Sequence, residues 1–359
     1  MGLLGFGSAK TTVGIDIGSS AIKVVELQPV KNGTYKLLNI GHANLVPDAI
    51  VDGHIIDLNH VSDAIGRLLG EHKIKTKDVH TSVSGHSVII KKIEVAYMTD
   101  DELAERIQWE ADQHIPFDIT DVNLDYSVVG RDPASGVMQV LLVACKRDKI
   151  AQYTTVISQA GRNPVVIDVD AFALQNAYEV NYQPMPTATV ALLDIGATVT
   201  SINIVRGSNS VFTRDISAGG NQYTDLLQKE LGLTFEQAEA LKRGVPTDNG
   251  LQPSDAQSLI DSVTDILAME VQKTIDFWRA TSSSDVAPID RVLVAGGSSK
   301  ISGLTSAFSE RFGIPVERFN AFNPSRIKVD SGKFDEEYIR EMSPTMAVAV
   351  GLAARQPGQ

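Results

Sequence analysis

Two short segments end an apolar run with an aspartate and follow it closely with a glycine: Asp16-Ile17-Gly18 and Asp194-Ile195-Gly196. That pattern suits phosphate. The backbone N–H groups of a glycine turn can approach an anion because no Cβ intervenes. The carboxylate alongside would repel phosphate unless a divalent cation sits between them. Mg²⁺, which keeps several waters and takes one or two carboxylates plus phosphate oxygens, satisfies both. Two such turns facing each other would grip one polyphosphate. A third glycine turn, Ala295-Gly296-Gly297-Ser298, allows a flat base to lie close against backbone. Alone, each of these is an ordinary turn or strand end. Together, in this order and spacing, they form a constellation.

The elements that must position them can be read around them. Residues 13–17 and 21–27 are apolar, β-branched runs flanking Gly18-Ser19-Ser20, and they predict a hairpin. Residues 35–43 read as a third strand, and residues 61–72 carry apolar side chains at helical spacing. The region 79–143 has its own character. It reads as a strand at 88–95, a helix opened by the capping box Thr99-Asp100-Asp101-Glu102 and closed by Pro116, and a hairpin over 124–144. A helix over 150–160 and a strand over 165–169 return the chain to the first unit.

The strand–Asp–Gly–strand unit then recurs 178 residues later, which predicts two like domains facing each other. They span residues 1–183, with an inserted subdomain at about 79–150, and residues 184–359, joined at the proline-bearing stretch 182–187. The second half continues with a helix over 220–231, a capped helix over 234–243, a long amphipathic helix within 254–280 and a strand over 291–295.

Composition narrows the class. A chain of 359 residues that is 43% hydrophobic and 21% charged is neither disordered nor membrane-embedded as a whole. A net charge of −12 makes the surface a poor counter-charge for nucleic acid. Cys145 is the only cysteine, so no intrachain disulfide forms and a reducing compartment fits. The first ten residues lack the apolar core of a signal peptide, and residues 346–354 are too short to span a bilayer. A soluble cytoplasmic protein is expected. There is no Gly-x-x-x-x-Gly-Lys-Ser/Thr, Gly-x-Ser-x-Gly or His-Glu-x-x-His motif, and the seven histidines are scattered.

At these residues the chain resembles the actin-like ATPase superfamily. Val13–Lys23 is similar to its first phosphate motif, Leu192–Thr198 to its second, and Val292–Ile301 to its adenosine motif. The resemblance implies an α/β fold of two ribonuclease-H-like domains facing a nucleotide cleft, with ATP and Mg²⁺ as cofactors. It implies that Asp16 and Asp194 hold Mg²⁺ through water. Gly18, Ser19 and Ser20 would contact the terminal phosphates, with Gly196 and Thr198 opposite. Lys23 would neutralise them; by its residues alone it reads equally as an exposed strand lysine. Gly296, Gly297 and Ser298 would pack on the adenosine.

Three further features carry two readings each. Glu239 and Lys242 are either a ribose and base clamp or a surface i,i+3 ion pair. Gly219 and Gly220 form either a nucleotide-side turn or an ordinary loop. Asp170 falls near the superfamily's water-positioning residue, yet a helix N-cap is the better reading of it.

Within the superfamily the chain resembles the PilM family of the type IV pilus machine. Residues 14–27, 107–117 and 270–277 carry that likeness. The insertion lies where that family and the division protein FtsA carry their extra α+β subdomain. Trp109 and Phe117 read as core residues sooner than as a binding surface. The resemblance implies a cytoplasmic ATP-binding scaffold at the inner membrane platform that grips the cytoplasmic N-terminus of PilN. Membrane contact would be indirect, through PilN. It also implies links to the motor ATPases and the platform protein PilC, assembly into a homo-oligomer or ring, and at most slow ATP turnover. An FtsA-like filament protein is the nearest rival; residues 351–359 show no amphipathic membrane helix, which counts against it. A sugar kinase is the rival of enzyme class, and no candidate base sits in a sugar-like motif.

Overall fold

The structure is a computed structural model that describes residues 10–282 and 287–355. Residues 1–9 and 356–359, on which part of the reading of the two chain ends falls, lie outside the described residues.

The first half runs β1 (Thr12–Ile17), β2 (Ala21–Pro29), β3 (Tyr35–Asn44), β4 (Ile50–Val51), β5 (His54–Ile55), α1 (Leu58–Glu71) and β6 (Asp78–Val83). It continues with β7 (Val88–Ala96), α2 (Asp100–Asp112), β8 (Val122–Asp132), β9 (Val137–Lys146), α3 (Arg147–Gln159), β10 (Asn163–Val169) and α4 (Asp170–Tyr182). The second half carries β11 (Thr189–Ile195), β12 (Thr200–Arg206), β13 (Asn209–Ile216), α5 (Gly220–Leu231), α6 (Phe235–Lys242), α7 (Pro253–Thr281) and β14 (Arg291–Ala295). Then follow α8 (Leu304–Phe312), β15 (Val316–Arg318), β16 (Ile327–Lys328), α9 (Glu336–Met342) and α10 (Ala347–Ala354).

The repeat seen in the sequence is a repeat of topology. In the first sheet the order is β10-β6-β1-β2-β3-β16, and in the second β13-β12-β11-β14-β15. Each has an antiparallel meander of three strands, with parallel strands added beside the first of them. Both faces of the first sheet are covered, which is why β1 and β2 bury apolar side chains on both sides instead of alternating. Ile15, Ile22 and Val24 pack with Ile65 and Leu69 of α1 and with Val156 of α3. Val25 and Leu27 pack on the opposite side with residues of α4 and α10.

The inserted unit is a three-stranded sheet, β7-β9-β8, with α2 packed on one face through Leu103, Ile107 and Ala111. The Thr99–Glu102 capping box is formed in both directions. The insertion starts after β6, later than the sequence reading from residue 79, while the return through α3 is as expected. Strand β6 pairs with β1 and β10 in the first sheet, because Val79 and Val83 belong to its core. Helix α3 likewise packs into that core through Tyr153, Val156 and Ile157. Trp109 departs from its reading as a core residue: it is 61% exposed on α2, with the Arg106 guanidinium over its ring.

Candidate functional site

The turn after β1 is closed by the Gly18 N–H donating to the Ala21 carbonyl, and the turn after β11 by the Gly196 N–H donating to the Val199 carbonyl. The two turns meet. Ser19 Oγ and Thr198 Oγ1 are 3.1 Å apart, across a sequence separation of 179 residues. Asp16 lies behind the first turn and is buried; Asp194 lies behind the second and is half-buried.

Asp16 and Lys23 are cross-strand partners in the hairpin, and their side chains pair at 3.1 Å. Lys23 is therefore no exposed strand lysine. Burial works against its charge, but Asp16 and Asp194 outweigh burial and raise its pKa, so it stays protonated. Burial raises the pKa of Asp16, partly offset by Lys23. Asp194 goes further, pushed up to about 7 by burial and by the charges of Asp16 and Asp170, with Lys23 opposing. Three carboxylates thus crowd one ammonium.

This excess of acid is the test of a divalent cation here. A cation between Asp16 and Asp194 would offset the burial and the like-charge repulsion that together keep Asp194 half protonated near pH 7. No group of three acid, histidine or cysteine side chains stands close enough to ligate a metal among the described residues. A cation would therefore draw its remaining ligands from waters and a bound anion, as Mg²⁺ does. The residues fit the ion on those terms.

On the second half, the Gly196 carbonyl accepts from the Gly220 N–H and from Ser298 Oγ, both at 2.9 Å. The Asn221 N–H donates to the Ala197 carbonyl at 2.8 Å. This fixes Gly219 and Gly220 against the second turn. A side chain at Gly220 would collide with Ser298 Oγ. Gly296 has φ +87°, and a Cβ there would come within 2.5 Å of Asp194 Oδ1. Only glycine brings the third turn so close to the acid.

Glu239 and Lys242 do form an i,i+3 ion pair, and it is no isolated surface pair. Lys242 Nζ also donates to Thr224 Oγ1 at 2.9 Å and to the Gly220 carbonyl at 3.2 Å, while Thr224 donates to Glu239. The pair closes over the Gly220 turn. Thr224 escaped the sequence reading, although its i+4 spacing from Gly220 on α5 is a usable signal. Ser20 and Gly297 stand apart from this network: Ser20 is exposed, and Gly297 faces open space.

Asp170 is the first residue of α4, not its N-cap. The cap position is Val169, and no side chain caps the helix. The neighbouring Asp168 instead accepts from the Val169 N–H at 2.8 Å and pairs with Arg355. The Asp170 charge acts on Asp16, Asp194 and Lys23 together, which puts it at the cleft.

The two facing sheets, the paired Asp-Gly turns and the inserted unit are those of the actin-like ATPase fold. Two solved structures share that fold at low identity. Ethanolamine utilization protein EutJ from Carboxydothermus hydrogenoformans is 15% identical with a TM-score of 0.58, covering 96% of this chain and 89% of that one. MreB5 of Spiroplasma citri bound to ADP is 13% identical with a TM-score of 0.51, covering 96% and 95%. A much nearer likeness is to the PilM-PilN type IV pilus biogenesis complex, at 28% identity and a TM-score of 0.84, over 96% of this chain and 99% of that one. The family model for type IV pilus assembly protein PilM matches residues 14–357. The chain belongs to the PilM family. None of its helices among the described residues is long and apolar enough to cross a membrane.

Proposed function

We propose that this chain binds ATP with Mg²⁺ between its two Asp-Gly turns and serves as a nucleotide-dependent scaffold in type IV pilus assembly. It holds the cytoplasmic N-terminus of a PilN-type partner beside the insertion. The observation that carries the nucleotide half of this reading is the contact of Ser19 with Thr198, which sets two phosphate-type turns face to face. The partner half rests on membership of the family and on the likeness to a PilM–PilN complex.

In this reading Asp16 and Asp194 hold Mg²⁺ through water, and Gly18, Ser19, Ser20, Gly196 and Thr198 cradle the phosphates. Lys23 offsets their charge. Gly219, Gly220, Gly296, Gly297 and Ser298 form the adenosine wall, with Glu239 and Lys242 at the ribose and base. Asp170 orients a water toward the terminal phosphate, and turnover is slow. The two domains meet at about residue 183, each contributing one turn. The protein works at the cytoplasmic face of the inner membrane, tethered through its partner, and links that partner to the motor ATPases as a ring or other homo-oligomer.

The test is isothermal titration of the full chain with a synthetic PilN N-terminal peptide, with and without Mg-ATP. Micromolar or tighter peptide binding that changes with nucleotide is expected. Tight ATP binding with no affinity for the peptide would remove the pilus-partner role and leave a filament protein or a small-molecule kinase.

A further inference from the structure

One lysine is buried where the site described above does not use it. Lys149, in the first turn of α3, is 1% exposed, and among the described residues it forms no ion pair. Its Nζ donates to the Ser84 carbonyl and lies 5.8 Å from the centre of the Tyr153 ring. Space for it is made at Gly53, with φ +74°, where a Cβ would come within 2.5 Å of Nζ. Burying an ammonium without a carboxylate in contact is costly, so such a group calls for a reason.

The reason lies in what Ser84 belongs to. Residues 84–87 join β6 of the first sheet to β7 of the insertion. The Gly85 N–H donates to Asp215 Oδ2 at 2.6 Å, and His86 Nε2 lies 2.7 Å from Ser217 Oγ. Both partners are on the second half, at and just past the end of β13. The Ser87 carbonyl accepts from the Lys146 N–H at 3.1 Å, which ties the entry of the insertion to its exit. Lys149 follows three residues after that exit. From Ser217 the chain runs directly into Gly219 and Gly220, the turn that bonds to Gly196.

We infer that residues 84–87 are a latch between the cleft and the insertion, and that Lys149 is the positioning residue that anchors it. Any rotation of the second half toward or away from the first pulls on Gly85 and His86, and so on the first residues of β7. Lys149 and Lys146 prevent the loop from absorbing that motion locally. The insertion therefore moves as one body with the cleft, and nucleotide binding and partner binding share a coupling free energy. This rests on the proposed nucleotide site.

The experiment is amide hydrogen exchange of the full chain with and without Mg-ATP, in the unmodified protein and in Lys149→Met and Asp215→Ala. In the unmodified protein, nucleotide is expected to change exchange in β7 and β9. In either variant that response is lost, while nucleotide affinity stays within about threefold, because neither residue contacts the proposed ligand. Methionine fills the volume of the lysine stem without its donor, and Asp215→Ala breaks the latch from the opposite side while the Lys149–Ser84 hydrogen-bond partners remain in place. Nucleotide binding with no change in the insertion of the unmodified protein overturns the latch alone, as does a response that survives in both variants. Absence of nucleotide binding overturns the nucleotide reading and the latch with it.

Discussion

Asp194 is held close to half protonation at neutral pH by burial and by three neighbouring carboxylates, Asp16 and Asp170 before Asp215. The sign of the resulting pH dependence follows from linkage. An acid whose folded pKa is raised binds more protons when folded, so without ligand its ionisation destabilises the fold as pH climbs from about 4 through about 7. Asp194→Asn removes that penalty. Urea unfolding of the unliganded variant at pH 7.5 should show a gain of roughly 1–2 kcal/mol, discounted for the open side of the cleft, and a flatter pH profile. The same substitution should weaken Mg-ATP binding about tenfold or more, since it removes half of the carboxylate pair that would position the ion. Gain of stability with loss of binding is the mark of a site residue; loss of both would mark Asp194 as structural.

Among the elements, α2 is the one whose start is written most openly in the sequence. Its capping box satisfies two otherwise orphaned donors, and Thr99→Ala should cost about 1 kcal/mol, confined to the insertion. Local hydrogen exchange over residues 100–112 would register it, with little change in the two main sheets. The hairpins, α5 and β14 were legible for the same reason: caps, glycines and unbroken apolar runs are local signals. What escaped the sequence is what depends on distant partners. The exposure of Trp109 could not be read, because a helix of 13 residues with only three buried positions leaves its sides undetermined until a sheet is set against it. Asp170 looked like a cap because an acidic residue does open that helix; that Val169 takes the cap position depends on where β10 ends. Lys149 and Asp215 left no trace, and His86 stood only as one of the scattered histidines, since their contacts join residues 65 to 131 apart. The candidate cleft itself was legible only because its turns are short motifs repeated once.

At the scale of the molecule, α10 and α4 are the axle between the two sheets. Gly351 sits where α10 lies hard against α4, and a Cβ there would collide with the Ala173 carbonyl. Backbone cannot step aside as a side chain can. Gly351→Ala should therefore destabilise the whole chain by about 3 kcal/mol or more, seen as a lower thermal midpoint for both halves together. A midpoint lowered for one half only would mean that the halves unfold independently across this contact.

The first sheet is not complete when the first half of the chain is. Its edge strand β16 pairs in parallel with β3, and α10 covers β1 and β2 from more than 300 residues downstream. A ribosome adds roughly 5–20 residues per second, so the N-terminal hairpin waits many seconds with an apolar face uncovered while the rest is made. The nascent chain thus cannot settle its first Asp-Gly turn early, and a message truncated before the codons of α10 yields an unfinished sheet on the N-terminal side, however faithfully that side was translated.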